Sequence, residues 1–499
     1  MLEHLKKLVA AETARTGKRR TIRLTDDTLR DGQQCLWATR MRTEDMLPIA
    51  QRMDRAGFLS MQAIALVQFD ASVLFLAQDP FERIRLLRER VTRTPLRGAV
   101  RGNLMRGFFP VADDITELFI ERQVANGIRE IGVFDALLCS DNLAPSIAAA
   151  HRHGAAVAYL LGYNIAPGYD DALYARKARE GVERFGVESV TLADAAGVLT
   201  VDRVRTLVPA IKQAIGDTLL EFNTHCLTGL GPWLAIEAAV HGADSILTAV
   251  DPMANGNSLP ASQMIARNLR EIGFDVQVDD GLLDEVGAYF GALAEREQQP
   301  VGTPAEYEPS HYITQYAGGA MSNLESQLKL AGMTDRLPEV LEEIGRVRVE
   351  LGSPIMVTPY PAIVSAQAVM NVLNKERYKV VPDEVKKYVC GYFGDLPLPV
   401  DANVKDRIIG NGSKDVALVP PVIEPVLPGL RQRYKGIGDD ELLLRYMYGD
   451  EKINGLKPTP AGDSFSLQHP VVDLVEGLAL RRRKAQVQVS GSDFALSVN

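Results

Sequence analysis

Residues 21–34 read TIRLTDDTLRDGQQ, and this stretch decides the fold. Ile22 and Leu24 alternate with polar neighbours as a β-strand requires, and Asp26, Asp27, Arg30, Asp31, Gln33 and Gln34 follow at once. Burying so many polar groups at a strand end costs hydration unless they bind one another or a ligand. An internal Arg30 to Asp31 network would satisfy them, and so would a site. Seven further apolar or β-branched runs follow: LSMQAIAL (59–66), PLRGAV (95–100), REIGVFDA (129–136), AAVAYLLG (155–162), SVTLADA (189–195), LLEFNTH (219–225) and SILTAVD (245–251). Amphipathic segments separate them. In TEDMLPIAQRMDRAGF (43–58), Met46, Ile49, Met53 and Phe58 recur at roughly helical spacing, and ADDITELFIERQVANG (112–127) opens on acidic residues and stops at Gly127. Eight such units in residues 21–275 match the size of a (β/α)8 barrel, about 250 residues.

The predicted fold class is therefore α/β, a TIM barrel followed by a mostly helical C-terminal domain. After residue 275 the alternation stops, and GLLDEVGAYFGALAERE (281–297), LPEVLEEIGRVRVELG (337–352) and IVSAQAVMNVLN (363–374) read as helices between Pro and Gly punctuation. The expected divisions are an N-terminal helix (1–20), the barrel (21–275), a helical domain closing over its mouth (276–455) and a C-terminal tail (456–499). A barrel of this kind places its chemistry where the strands end, because only those loops converge on one mouth.

The net charge of -9 argues against nucleic acid or an anionic membrane surface as partner, since both call for clustered positive charge. No apolar run approaches the roughly 20 residues of a membrane span. The first 20 residues lack a secretory apolar core, and four cysteines make no disulfide framework, so a cytoplasmic location is expected. Among seven histidines only His225 stands at a predicted strand end, beside Asn223 and Cys226. Cys35 and Cys139 also fall at strand ends, so a Cys, His and Asp set able to hold zinc is one reading of the mouth; small buried hydrophobes is the other.

Several long stretches resemble, in order, the carboxyltransferase components of biotin-dependent enzymes, such as pyruvate carboxylase, the oxaloacetate decarboxylase alpha chain and the pyruvate-side subunit of transcarboxylase. They are TDDTLRDGQQCLWATRMRTEDMLPIA (25–50), ADDITELFIERQVANGIREIGVFDAL (112–137), ESVTLADAAGVLT (188–200), YAGGAMSNLESQLK (316–329), GSPIMVTPYPAIVSAQAVMNVL (352–373) and VPDEVKKYVCGYFG (381–394). The resemblance implies a divalent metal held by a first-strand Asp, a carbamylated Lys and a His-x-His pair. It also implies an arginine that clamps the substrate carboxylate and a threonine that moves a proton to or from biotin.

Carried over residue by residue, the first-strand Asp is Asp26, the loop glutamine Gln34, the second His of the pair His225 and the threonine Thr358. Ala193 stands at the lysine, Asn223 at the first His, Cys226 after the second, and Gly132 where the arginine is expected. The implied catalytic set is Asp26, Gln34, His225 and Thr358, with Arg30, Arg101, Asn223, Cys226 and Tyr360 as substrate contacts. Asp26 and His225 remain as metal ligands of a depleted site, to be completed by Cys226, Asp194 or the substrate.

The chain contains no Met-Lys-Met, so carboxybiotin is expected on a partner, from biotin carboxylase and biotin carrier chains in a homo- or hetero-oligomer. The expected function is carboxyl transfer to a small organic acceptor other than pyruvate. A catalytically silent scaffold of such a complex, and a biotin-independent lyase or decarboxylase using Asp26, His225 and Cys226, stand as alternatives.

Overall fold

The computed structural model describes residues 2–102, 104–105, 110–316, 318–330, 332–460, 487–490 and 495–498. Eight parallel strands close into a barrel in sequence order: β1 (Arg23–Asp26), β2 (Met61–Ala65), β3 (Leu96–Val100), β4 (Glu130–Phe134), β5 (Ala156–Gly162), β6 (Ser189–Asp194), β7 (Leu219–Thr224) and β8 (Ser245–Thr248). Closure runs through β1 and β8, where Arg23 pairs with Ser245 and Asp26 with Thr248. Strands covered by helices outside and filled inside need apolar side chains on both faces, and β3 is buried at all five positions.

One charged network lies within the barrel. Arg97 grips Glu221 through two hydrogen bonds of 2.6 and 2.7 Å, reaches Glu130 at 2.9 Å, and leaves Glu221 to accept from Thr191 at 3.1 Å. A buried carboxylate this well paired is not stranded.

Beyond β8 the described chain up to residue 460 is helical or irregular. Helix Asp280–Arg296 packs on the barrel helix Thr43–Arg55, with Arg52 on Glu285 at 2.7 Å and the Tyr289 hydroxyl donating to the Asp45 carbonyl at 2.5 Å. Residues 297–310 then cross the barrel mouth. The Trp37 indole donates to the Pro300 carbonyl at 2.8 Å, and Gly302 lies so close to the β8 loop that a Cβ there would sit 1.6 Å from the Ala254 oxygen. Helices Leu337–Glu350 and Tyr360–Asn374 carry the segment that faces the mouth.

No helix among the described residues is long and apolar enough to cross a membrane. Most of the expected tail, 456–499, lies outside the described residues; within it Val487–Ser490 and Ala495–Val498 pair as an antiparallel hairpin.

Candidate functional site

The strand ends surround a cavity of about 340 Å³. Ala65, Arg101, Phe134, Gly162, Ala193, Asn223 and Leu247 line it at or just beyond the ends of β2 to β8, and Thr358, Pro361, Ala362 and Ser365 line it from the helical part.

The loop after β1 supplies part of its polar wall. β1 stops at Asp26, and a π-helical turn over Thr28–Gly32 brings Arg30 and Asp31 to the cavity, with Gln34 and Cys35 on the short helix that follows. Arg30 ties the loop together: its guanidinium reaches Asp27 at 3.0 Å, Asp31 at 3.3 Å and the Gln62 side-chain oxygen at 2.9 Å. The Gln62 amide donates in turn to Asp27 at 2.8 Å. Arg30 and Asp31 thus belong both to an internal network and to the cavity wall, while Asp27 and Gln62 do not line the cavity.

His225 stands opposite. Its Nε2 lies 3.1 Å from the Asp31 carboxylate and its Nδ1 2.8 Å from the Asn257 carbonyl. Cys35 Sγ is 3.5 Å from Asp31 and 3.8 Å from His225 Nδ1. Burial opposes a charged imidazole here, yet the Asp31 carboxylate outweighs it and holds His225 well above its ordinary pKa. Burial would also raise Asp31, but Arg30 and then His225 hold it well below the usual carboxylate range. The Cys35 thiol is pushed up to about 11 by burial and by Asp31.

Of the residues expected from the sequence, Arg30, Gln34, Arg101, Asn223, His225 and Thr358 line this cavity. Asp26, Cys226 and Tyr360 do not. Asp26 is fully buried and turns to Thr28, whose hydroxyl donates to it at 2.6 Å; burial raises its pKa to about 7, offset in part by Thr28. Cys226 is buried, and burial keeps its thiol protonated. Tyr360 is buried edge-on against Tyr388 with ring centres 5.3 Å apart. Asp194 is consumed locally, accepting from the Val198 and Leu199 amides at 2.9 and 2.8 Å and from the Thr224 hydroxyl at 3.1 Å.

One residue changes the sequence reading, and Arg101, expected as a substrate contact, lies in the cavity wall. Asp31, five positions past the expected ligand, is the carboxylate that meets His225, because the π-helical turn rotates it inward. Arg101 supplies a guanidinium to the cavity although Gly132 has none. Arg101 is buried, donates to the Met105 carbonyl at 3.1 Å, and forms no ion pair among the described residues. Burial lowers its pKa, and Asp70 opposes this only from beyond ion-pair distance. Asp135, at the end of the β4 run, also lines the cavity, and burial raises it to about 6 against hydrogen bonds from the Cys139 amide and Asn142. Its position after a buried strand was the available signal.

The four-ligand shell implied by the resemblance does not assemble on the carried-over positions. Asp26 points to Thr28, Ala193 has no donor atom, and Asn223 offers only a neutral amide. Asp26, His225 and Cys226, the set of the lyase reading, do not share the cavity either.

Comparison with known proteins agrees with this architecture. A family model described as a conserved carboxylase domain matches residues 312–495. A pyruvate carboxylase subunit from Methanocaldococcus jannaschii is 38% identical over 442 residues, covering 87% of this chain and 78% of that protein. Its namesake from Methanothermobacter thermautotrophicus is 35% identical over 471 residues, covering 91% and 83%. In fold, the chain matches the carboxyl transferase domain from Rhizobium etli pyruvate carboxylase, solved with pyruvate and biocytin, at a TM-score of 0.80 and 24% identity over 90% of this chain and 80% of that one. The closed parallel barrel followed by a helical part is the fold shared with that domain. The chain belongs to the carboxyltransferase subunit family of biotin-dependent carboxylases.

Proposed function

We propose that this chain moves a carboxyl group between carboxybiotin, carried on a partner chain and charged by a biotin carboxylase, and a small organic carboxylate larger than pyruvate. The observation that carries the reading is Arg101, a buried, cavity-lining guanidinium with no ion-pair partner among the described residues. A buried cation lacking a counterion is costly, and an acceptor carboxylate supplies one.

The wall beside Arg101 favours length. Ala99, Phe134, Leu160, Gly162, Ala193 and Ala195 line the β3 to β6 side, mostly with small apolar groups. Ala193 is short where the resemblance expects a carbamylated lysine, so an apolar extension of the acceptor fits beside it better than a bare methyl group. Thr358 reaches the cavity from the helical part and is the group we assign to proton transfer with the biotin ureido; Gln34 and Asn223 are neutral hydrogen-bonding partners for the acceptor.

The names of the relatives make pyruvate the comparator. The test combines the chain with a biotin carboxylase, a biotinylated carrier, ATP and labelled bicarbonate, and follows acid-stable label into 2-oxo acids of increasing chain length. Longer acceptors should be carboxylated with higher kcat/KM than pyruvate. Preference for pyruvate would refute the size argument, and no label in any acceptor would refute transfer itself.

A further inference from the structure

Carboxyl transfer to carbon needs a group that takes a proton from the acceptor, and among the described residues lining the cavity one carboxylate is free to do so. Asp31 is already held by Arg30 at 3.3 Å and by His225 at 3.1 Å. Both ring nitrogens of His225 are engaged, by the Asn257 carbonyl and by Asp31, and Cys35 Sγ lies against the same pair at 3.5 and 3.8 Å. The Tyr316 hydroxyl donates to the Pro361 carbonyl at 3.4 Å. Asp135 is different: it is buried, lines the cavity and forms no ion pair among the described residues.

We propose that Asp135 is the general base of the transfer reaction, taking the proton from the acceptor carbon next to its carbonyl group. Its carboxylate is fixed for this. The Cys139 amide donates to Oδ2 at 2.9 Å and the Asn142 side chain donates to the same oxygen at 3.3 Å, while Asn142 is itself anchored on the Phe393 carbonyl at 2.9 Å. These bonds leave Oδ1 as the oxygen for the cavity. Strand register sets its neighbours: Val133 pairs with Val100 and Phe134 with Leu160, so Asp135 leaves β4 between Arg101, just past β3, and the Leu160 to Gly162 wall at the end of β5. Adjacent strands lie about 4.8 Å apart, so an acceptor whose carboxylate rests on Arg101 carries its reacting carbon past Asp135.

The groups that face Asp135 leave its charge available. Lys177 acts on it only from a distance, its ammonium being on the Ser140 hydroxyl and on Glu180 at 3.2 Å each. Tyr159 in β5, Tyr169 in the loop after it and Tyr360 border it with hydroxyls that burial keeps protonated, and Cys139 offers its amide. Burial pushes Asp135 up to about 6, so at neutral pH it is ionised and more basic than an ordinary carboxylate. The step balances without an added reagent. The acceptor C–H bond breaks as Asp135 takes the proton, its electron pair forms the new bond to the carboxyl carbon as that carbon leaves the biotin nitrogen, and the proton passes through Thr358 to the same nitrogen.

The inference rests on the carboxyl-transfer reading, but base and transfer are measured apart. The full chain, without carrier or biotin, is incubated with 2-oxobutanoate in deuterated buffer, and exchange at the third carbon is followed by proton NMR against the non-enzymatic rate. We expect exchange that rises with pH through about 6 and levels above it, since the ionised carboxylate is the active form. Asp135→Asn, whose side-chain oxygen still accepts from the Cys139 amide, should slow exchange at least roughly a hundredfold and remove the rise. The pH profile of the unmodified chain needs no variant to fold, and a rate flat from about pH 5 to 8 would overturn the proposal. So would unchanged exchange in Asp135→Asn, exchange lost in Thr358→Ala but kept in Asp135→Asn, or no exchange above the non-enzymatic rate. Exchange that depends on Asp135 while no acceptor is carboxylated would uphold the base and refute transfer alone.

Discussion

Arg97 and Arg101 stand four positions apart on one strand and its extension, and alternation sends both into the barrel. Their surroundings give them opposite work. Arg97 meets Glu221 and Glu130 at 2.6 to 2.9 Å, so its charge is spent within the fold. Arg101 has a neutral carbonyl at 3.1 Å and an open cavity. Arg101→Ala should therefore raise the acceptor KM by roughly 30- to 150-fold, about 2–3 kcal/mol for a charge-assisted pair, with a smaller effect on kcat; steady-state kinetics at saturating carrier would decide it, and an unchanged KM would remove Arg101 from acceptor binding. Arg97→Ala should instead lower stability by about 3–5 kcal/mol, seen in chemical denaturation, because Glu221 is left buried without its cation. Asp26 offers a pH test. Burial, opposed by Thr28, raises its pKa from 3.8 unfolded to about 7 folded, so the folded state holds the proton longer than the unfolded state does. Its contribution to stability is complete below pH 3.8 and is lost as pH rises through 7. Asp26→Asn, which keeps an acceptor for Thr28 and cannot ionise, should gain stability over the parent as pH rises, approaching about 4 kcal/mol above pH 7. Paired thermal melts at pH 5 and 8 should show the gap widening; a constant gap would contradict the assignment.

At the level of elements, all eight strands fall within or against the runs read from the sequence, since a strand covered on both faces leaves a continuous apolar mark. The loops were less legible. Asp26 and Asp31 are both carboxylates just past a strand end, and period-two reasoning favours the nearer one. Nothing in residue type announces a π-helical turn, so the exchange of Asp31 for Asp26 as the partner of His225 appears only in three dimensions. Likewise, Arg101 and Asp135 stand at strand ends, but whether each neighbour satisfies or strands its charge depends on contacts across the barrel. The crossing segment 297–310 was also invisible, being neither helix nor strand. Its fit to the β8 loop rests on Gly302, whose amide donates to the Pro252 carbonyl at 2.9 Å. That loop also carries Asn257, the acceptor for His225 Nδ1. Gly302→Ala would place a Cβ against the Ala254 carbonyl, a backbone atom that cannot swing aside. A loss of about 3 kcal/mol or more is expected from such overpacking, and a melting temperature matching the parent would mean that the segment does not press on the mouth.

On the scale of the whole molecule, the barrel and the helical part share one apolar core, which runs from Leu24 in β1 through Ile355 and Tyr360 to Leu444. Polar ties cross the same boundary. Arg348 donates to Asn164 and to the Ile165 carbonyl, the Asn164 amide donates to the Ser353 carbonyl at 2.9 Å, and Gln315 pairs with both backbone groups of Ile165 at 2.9 Å. On the other side, helix Asp439–Tyr448 holds two parts of the barrel: Asp440 accepts from Arg122 at 2.7 Å and Arg85 at 2.9 Å, and the Tyr448 hydroxyl donates to Asp70 at 2.9 Å. Contacts this widely spread couple the unfolding of the parts, so Thr358 cannot leave the mouth by local melting without disrupting core shared with the barrel. Scanning calorimetry should show a single endotherm coincident with loss of near-ultraviolet dichroism. The double variant Asp440→Ala, Tyr448→Phe should move that endotherm down as a unit, by an amount set by the lost hydrogen bonds at about 1 kcal/mol each. A separate low-temperature peak in the variant, with the barrel melting unchanged above it, would instead make the helical part an independently folding lid whose closure is set by ligands rather than by the fold.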